Sequence, residues 1–269
     1  MIEIQTESWH IAVYMNLIII AEADRKCDFQ FMLADQRAAH IREVLRAEPG
    51  GTVEVGMLNG PVGKATVLEI STQVVLLEIT EWREAPSLGY EIELICAVPR
   101  PKTLKKVLTV SAMMGVKAIH FVRANRTDKS YLDSPLLREE NSYPYLIDGL
   151  SQGKFTRLPK THLHPLFRPF VEDELPVLYR EQAQSIKLLS EPSSPAKLPE
   201  VLANDRSANF VIAIGPEGGW VPFELELLKK AGFKPFSLGP WMLRVETAVT
   251  AVLAQLELEI WRRSSQSTP

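Results

Sequence analysis

The chain has 269 residues and a formal net charge of −3, with 46% hydrophobic and 23% charged residues. This length allows two modest domains, and the composition is that of an ordinary globular protein. No stretch reaches the roughly 18 apolar residues of a bilayer span, and the N-terminus lacks the basic start of a secretory signal. The two cysteines lie far apart without metal-ligand spacing, so we expect a cytoplasmic protein with no membrane segment and no metal.

The first part of the chain combines one helix with short strands. Residues 1–14 are predicted to be an extension, because the regular pattern begins at Met15 and continues into a buried strand at 17–20. Residues 35–46 space their apolar side chains as a helix does, and Pro49-Gly50-Gly51 is expected to end it. This pattern predicts a small β-barrel domain over residues 15–86. Its further strands are expected at 52–55, 63–70 and 74–80.

After a linker near residues 84–89, the pattern changes to alternating strands and helices. Such alternation predicts a parallel sheet covered by helices, here over residues 90–264. The stretch 180–207 is weakly patterned and is expected to contain a surface loop. Strands are expected at 92–98, 118–122, 210–214 and 235–238, and helices at about 104–115, 222–231 and 245–262.

Basic residues cluster in this second part, although the chain as a whole is slightly acidic. Between Pro99 and Tyr131 there are eight basic residues and one acid, Asp128. Residues 152–168 add four basic residues and no acid. A basic face on a near-neutral chain is typical of a protein that binds nucleic-acid phosphates. A solvated helix face is the alternative for either cluster taken alone.

Two glycine-rich loops near the C-terminus are the main candidates for a ligand site. The first, Gly215-Pro216-Glu217-Gly218-Gly219, follows a predicted strand that ends at Ile214. Glycines let a ligand approach the backbone closely, and parallel sheets bind ligands at the loops that follow their strands. The loop has neither the lysine of a P-loop nor the GxGxxG pattern. A tight turn without a ligand is the alternative for this loop alone.

The second loop, Leu238-Gly239-Pro240, leads through Leu243 and Arg244 into the last predicted helix. Glu246 suits the positive end of the helix dipole, so a structural role would explain it. Arg244 has the unfavourable sign for that position. It is therefore expected to hold an anion or a backbone carbonyl.

The two loops together resemble the uridine-N3 methyltransferases of 16S ribosomal RNA, a family of the knotted SPOUT class. The resemblance rests on GPEGG, a short helix and LGPxxLRxETA, and it covers most of the chain from Met15 to about Arg262. Further similar positions are the helix at 37–46, the turn at 58–60, and residues 99–102, 129–130 and 152–159. Several positions depart from the common family form. Met113 and Ser151 each replace a glutamate, Lys154-Phe155 replaces a Gly-Arg pair, and Trp241 replaces an arginine.

The resemblance implies an α/β fold in which a PUA-like RNA-binding β-barrel precedes a parallel-sheet methyltransferase domain with a deep trefoil knot. It implies S-adenosylmethionine as the cofactor, the small ribosomal subunit as the partner, and a homodimer with the active site near the subunit interface. The cofactor residues that it implies are Ile214, Gly215, Pro216, Glu217, Gly218, Gly219, Leu238, Gly239 and Leu243.

A sulfonium methyl group is already activated, so the enzyme mainly has to align it with the attacking nitrogen. Uridine N3 must lose a proton, and a nearby cation can stabilise the resulting anion. Arg244 is the first candidate, with Glu246 or Thr247 orienting it or a water, and Arg126 and Lys129 are further candidates. The residues expected to bind RNA are Arg37, His40, Arg42, Arg46, Arg100, Lys102, Arg126, Lys129 and Gln152.

Three alternatives stay open at this point. The chain could be a SPOUT ribose 2′-O-methyltransferase of transfer or ribosomal RNA, although those enzymes usually carry a different loop signature. It could also be an RNA-binding ribosome-assembly factor without catalysis, which the departures at Met113 and Trp241 would suit. For His40, packing against the barrel is the alternative to RNA contact.

Overall fold

The computed structural model describes residues 16–179, 185–203 and 207–266, and the chain divides into two compact units between Glu84 and Ala85. Each unit has its own sheet and its own apolar core. The predicted extension over residues 1–14 lies outside the described residues. Within the described ranges, no helix is long and apolar enough to cross a membrane.

The first unit is a six-stranded, mainly antiparallel sheet. Its strands are β1 (Ile18–Ile20), β2 (Arg25–Cys27), β3 (Gln30–Leu33), β4 (Thr52–Met57), β5 (Val62–Ile70) and β6 (Val75–Arg83). They pair in the order β1-β4-β5-β6-β3-β2, and only β1 and β4 run parallel. Buried Val53 and Val55 alternate with more exposed residues, as one-sided burial of a strand requires. A barrel was predicted here, but the described strands form an open sheet whose edge strands are β1 and β2.

One helical segment packs on this sheet. It consists of α1 (Gln36–Ala39) followed by a π-helical turn at His40–Val44, with Asp35 accepting a hydrogen bond from the Arg37 backbone N–H at its start. Buried Ala38 and Ile41 join the apolar core. The segment ends before Arg46, which has a φ of +50°. The prediction that Pro49-Gly50-Gly51 ends the helix was therefore wrong by several residues.

The second unit contains a six-stranded sheet in which every pairing is parallel. The strands are β7 (Glu91–Ala97), β8 (Ala118–Val122), β9 (Lys160–His164), β10 (Ile186–Ser190), β11 (Asn209–Ile214) and β12 (Lys234–Phe236). Their order in the sheet is β12-β10-β11-β7-β8-β9, and all five residues of β8 are buried. Burial on both faces is the property of a parallel sheet covered by helices, so this part of the prediction is confirmed.

Helices accompany these strands, and two of them approach each other closely. The helices are α2 (Pro101–Met113), α3 (Glu139–Gly153), α4 (Phe167–Pro169), α5 (Leu175–Leu178), α6 (Leu198–Leu202), α7 (Pro222–Lys230) and α8 (Val245–Gln266). A Cβ at Gly149 would lie 2.2 Å from the Thr109 carbonyl oxygen, and one at Gly153 would lie 2.1 Å from that of Met113. Only glycine therefore lets α3 pack so near to α2.

The stretch 180–207, in which a surface loop was expected, also contains an interior strand that the sequence analysis did not predict. β10 lies between β11 and β12, and its residues Ile186, Leu188 and Leu189 are buried. The helix α6 follows it, while residues 180–184 and 204–206 lie outside the described residues. The short run Ile-Lys-Leu-Leu carries the signal of a buried strand, but its lysine and the surrounding serines and prolines obscure it.

Candidate functional site

Three loops at the C-terminal edge of the parallel sheet enclose a cavity of about 390 Å³. They follow β10, β11 and β12, and they bring together residues 190–193, 214–220 and 242–243. Val245 and Ala248 of α8 close another side, and Arg126 reaches it from the loop after β8. A cavity of this size and position suits a small ligand. The loop at 190–193 was missed by the sequence analysis.

The first glycine loop is held between two large side chains. Arg126 donates a hydrogen bond to the Gly218 carbonyl oxygen, and a Cβ at Gly218 would lie 3.1 Å from Arg126 Cδ. A Cβ at Gly215 would lie 3.0 Å from Trp220 Nε1. Trp220 is 5% exposed and packs on Phe167. The glycines therefore permit a tightly packed loop whose backbone groups face a cavity.

Glu224 is a second functional candidate that the sequence analysis missed. Its carboxylate is buried and accepts hydrogen bonds from the backbone N–H groups of Val221, at 3.0 Å, and Asn125, at 2.6 Å. It thus caps α7 and also ties the loop that carries Arg126 to the glycine loop. The available signal was a glutamate two residues after a proline at a helix start, as in a capping box.

The second glycine loop is held in place by hydrogen bonds to its backbone carbonyls, and only part of it lines the cavity. The Ser237 hydroxyl donates to the Gly239 carbonyl at 2.9 Å, and Gln255 of α8 donates to the Leu238 carbonyl at 3.1 Å. Leu243 lines the cavity, as do Ile214 and all five residues of the first loop, whereas Leu238 and Gly239 do not. Of the nine predicted cofactor residues, seven therefore lie at the cavity.

The three predicted catalytic residues do not meet at this cavity within one chain. Glu246 and Thr247 line a separate groove of about 480 Å³ beside α2 and α3, together with Lys106 and Tyr145. Lys106 Nζ lies 3.2 Å from Glu246 Oε1. Because Val245 and Ala248 face the cavity, the helical period turns Glu246 and Thr247 away from it. Arg244 is exposed immediately before α8.

Two of the predicted RNA-binding cations lie beside the first glycine loop. The backbone N–H and Nε of Arg100 donate to Glu217 Oε1 at 3.4 and 3.3 Å, and Arg126 contacts Gly218. They follow β7 and β8, whose C-terminal ends share the edge of the sheet with the cavity. Lys102 and Lys129 are exposed, and Gln152 donates to Asp148 on its own helix.

In the first unit, Arg37 is part of an internal ion-pair network. Its guanidinium donates to Asp24, to Asp35 and to the Ile19 carbonyl at 2.6–3.0 Å. Burial opposes its charge, but the two carboxylates outweigh burial and raise the pKa of Arg37. This arrangement gives Arg37 a structural role in the unit.

The other three candidates of the first unit differ in how free their side chains are. Arg42 donates to the Ser71 and Thr72 carbonyls and to Glu43. His40 is half-buried, and its Nε2 has no hydrogen-bond partner among the described residues. Arg46 is exposed. Arg46 is therefore the member of this set whose charge is most available to a nucleic acid.

A polar cluster crosses the parallel sheet, and nothing in the sequence pattern indicated it. His120 of β8 and His164 of β9 share a hydrogen bond, and each also contacts a carboxylate, Glu93 and Glu174 respectively. Tyr179 Oη donates to Glu93 Oε2 at 2.6 Å. Burial alone would raise the pKa of Glu93, but the bonds from His120 and Tyr179 lower it to about 2. Burial lowers the pKa of His164.

Comparisons with known proteins define the class. A family model described as an RNA methyltransferase domain matches residues 86–257. Ribosomal RNA small subunit methyltransferase E of Treponema pallidum is 31% identical over 237 residues, which cover 85% of this chain and 86% of that protein. Its counterpart numbered 1 in Borreliella burgdorferi is 27% identical, over 88% and 95% of the two chains. This chain belongs to the family of ribosomal RNA small subunit methyltransferase E.

Solved structures show the same fold. The methyltransferase E of Neisseria gonorrhoeae, bound to S-adenosyl methionine, matches with a TM-score of 0.73 at 22% identity, over 91% of this chain and 98% of that one. A methyltransferase of Legionella pneumophila in complex with the same cofactor matches with a TM-score of 0.71 at 23% identity, over 90% and 97%. This chain therefore shares its fold with these two proteins over most of its length.

Proposed function

We propose that this chain transfers the methyl group of S-adenosylmethionine to N3 of a uridine in 16S ribosomal RNA of the small ribosomal subunit. Family membership carries the reaction class, which is S-adenosylmethionine-dependent methylation of small-subunit ribosomal RNA. The structural observation that supports it is the cavity formed by the glycine loop after β11 and the loops after β10 and β12. Because its substrate is ribosomal, we place its action in the cytoplasm.

The cavity residues fit this cofactor chemically. Glycine at 215 and 218 lets the loop pack against Trp220 and Arg126 beside the cavity. Trp220 Nε1 has no hydrogen-bond partner in the described part of the chain. Carboxylates of Glu191 and Glu217 line the same space and suit hydroxyl or ammonium groups. When bound, S-adenosylmethionine supplies the activated methyl group. Residues 214–219 and Leu243 are proposed to hold it, with Ser190–Ser193 and Trp220 added by the structure.

The protein's own chemical task is to stabilise a uridine that loses its N3 proton. A fixed cation near the pyrimidine serves this purpose. Arg244 remains the proposed residue, and Arg126 is the alternative because it lines the cavity itself. Glu246 and Thr247 are proposed to orient Arg244 or a water. Their position in the separate groove supports an active site completed by a second chain.

A homodimer, a PUA-like first domain and a trefoil knot belong to this proposal. The groove lined by Lys105, Lys106 and Tyr145 supports the homodimer, since Glu246 Oε2 there is buried without a partner among the described residues. Residues 15–86 are proposed to bind RNA through Arg46 and its neighbours, and residues 90–264 to carry out catalysis. Arg100, Lys102, Arg126, Lys129 and Gln152 are the proposed RNA contacts of that second part.

The test is methyl transfer from labelled S-adenosylmethionine to small ribosomal subunits that lack N3-methyluridine, followed by mass analysis of nucleosides. N3-methyluridine is the expected product. A 2′-O-methylated nucleoside would instead establish a ribose methyltransferase. Binding of cofactor and subunits without transfer would establish an assembly factor. Subunits that already carry the modification serve as the control, and they should accept no further methyl group.

A further inference from the structure

Two large apolar side chains stand exposed at the cofactor cavity. Trp241 is 64% exposed and Met242 is 83% exposed, although both belong to the loop that precedes α8. Met242 and the next residue, Leu243, line the cavity. Neither the core of the unit nor the proposed cofactor contacts explain why an indole ring stands at this place. Exposed apolar groups beside a binding cavity are typical of an interaction site.

The indole is held by the backbone of its own loop. A Cβ at Gly239 would lie 2.3 Å from Trp241 Cζ3 and 2.5 Å from Cε3, so the ring lies directly against that glycine. Gly239 has a φ of +152°, and its N–H and carbonyl both bond the Ser237 hydroxyl. The ring is therefore supported by a fixed loop while most of its surface remains exposed. Such an aromatic group is positioned before any partner arrives.

The charges around the cavity indicate which partner the ring meets. Arg126 lines the cavity together with Glu191 and Glu217, and Glu217 is paired with Arg100. Arg244, three residues after Trp241 in the same loop, is an exposed cation. Exposed aromatic rings next to cations are the combination that binds unpaired RNA, through base stacking and phosphate contacts. The groove beside α2 and α3 is the proposed site of the second copy, and Trp241 does not line it. An unpaired nucleobase is thus the better match.

We propose that Trp241 stacks on an unpaired nucleobase of the RNA substrate beside the cofactor cavity and so positions the RNA for methyl transfer. The inference rests on the proposed function, because it assigns a positioning residue to that reaction. Where the family form has an arginine, this chain would bind by stacking rather than by charge. The contact made by Trp241 is therefore insensitive to salt, whereas a guanidinium at the same place would be sensitive to it.

The experiment compares Trp241→Ala, Trp241→Phe and Trp241→Arg with the wild type. Trp261→Ala is the matched control, since Trp261 is 63% exposed on α8. Affinity for small subunits lacking N3-methyluridine is measured at two salt concentrations, and cofactor affinity is measured by calorimetry. Trp241→Ala should weaken subunit binding about 5- to 150-fold, the range of one stacked base, with unchanged cofactor affinity. Trp241→Phe should lose less than about fivefold, and Trp241→Arg should steepen the salt dependence by about one unit of slope.

Unchanged subunit affinity in Trp241→Ala would overturn the inference, and so would a loss of equal size in Trp261→Ala. A change of association state in sedimentation, with subunit binding intact, would also overturn it, because the ring would then face a second copy. Failure of the proposed function is distinguishable. In that case the wild type would form no N3-methyluridine, while the binding comparison would still report on Trp241.

Discussion

His120 Nδ1 lies 3.0 Å from His164 Nε2, so two rings on neighbouring strands share one hydrogen bond. His164 Nδ1 lies 2.8 Å from Glu174 Oε2, and His120 Nε2 lies 3.4 Å from Glu93 Oε2. Each of these three contacts needs one proton, and two neutral rings carry only two. Two neutral rings therefore leave one of the three contacts without a proton.

This arrangement makes the stability of the second unit sensitive to acid. Folding lowers the pKa of His164 and lowers that of Glu93 to about 2, so the folded state binds fewer protons than the unfolded state in acid. Lys117 and Tyr179 also face Glu93, and the exposed His162, whose pKa is lowered, stacks on His120. The thermal midpoint should therefore fall as the pH drops below about 6.5, because of His164, and fall again as the pH drops from about 4.5 towards 2, because of Glu93.

The measurement is calorimetry of the wild type and of His164→Gln across this pH range. The variant should be less stable at pH 7 but should lose less stability between pH 7 and pH 5. His162→Gln is the comparison, and it should keep most of the wild-type pH dependence because its ring lacks the shared hydrogen bond. An identical slope in His164→Gln and the wild type would contradict the assignment.

Replacing the capping carboxylate should weaken both folding and cofactor binding. In Glu224→Gln, one of the two backbone N–H groups of Val221 and Asn125 would face an amide NH₂. A cost of about 1–2 kcal/mol in unfolding free energy is expected, with weaker cofactor binding because the Arg126 loop is released. Urea unfolding and calorimetry measure the two effects. Glu226→Gln is the control, since Glu226 is exposed and its ion pair within the described ranges is with neighbouring Lys229; it should change stability by less than about 0.5 kcal/mol.

The two glycines of the first loop should differ in tolerance. Gly215→Ala would press a Cβ against the indole of buried Trp220, which packs on Phe167 and cannot withdraw. Gly218→Ala would meet Arg126, an exposed and flexible side chain. We expect Gly215→Ala to reduce cofactor affinity about tenfold or more, and Gly218→Ala less than about threefold. Cofactor affinity is measured by calorimetric titration. Equal losses of affinity in the two variants would contradict this explanation, because the effect would then not depend on which side chain the new Cβ meets.

Arginine at position 37 should be required for the stability of the first unit. Lysine cannot reproduce the contacts with Asp24, Asp35 and the Ile19 carbonyl. Arg37→Lys should therefore lower the unfolding free energy by about 2 kcal/mol. Arg46→Ala should leave the stability of the unit unchanged but weaken binding to small subunits at low salt. Denaturant unfolding measures the structural role of Arg37, and filter binding measures the RNA-binding role of Arg46. A loss of stability in Arg46→Ala, with weaker subunit binding but unchanged stability in Arg37→Lys, would contradict this assignment.

Strands with uninterrupted apolar runs were predictable from the sequence. The runs at 92–98, 118–122 and 210–214 became β7, β8 and β11 with shifts of one residue at most. β9 was not predicted, because Lys160–His164 is an edge strand with polar side chains. β10 was hidden by Lys187, and the start of α2 lay at Pro101 rather than near residue 104. Short strands depend on neighbours that are remote in sequence.

The same reason limits what could be foreseen of the site. The glycine loops stood out because their residue types are unusual at consecutive positions. Ser190–Ser193 join them only because β10 pairs with both β11 and β12. Likewise, Glu224 reaches Asn125 only because α7 and the end of β8 lie at one edge. Glu246 and Thr247 point away from the cavity because of the way α8 packs on the rest of the unit. The local sequence pattern does not determine that packing.

The order of strands in the parallel sheet has a consequence for how the protein is made. Ile92 of β7 pairs with Phe210 of β11, and β10 pairs only with strands that follow it in the chain. During synthesis, one edge of β7 thus stays open until β11 has emerged, and such remote pairings fold slowly. The cavity needs residues from Arg126 to Ala248. A nascent chain that ends before Ala248 therefore lacks part of the cavity, and we expect it to be unable to bind a ligand there until residues 126–248 have all been made.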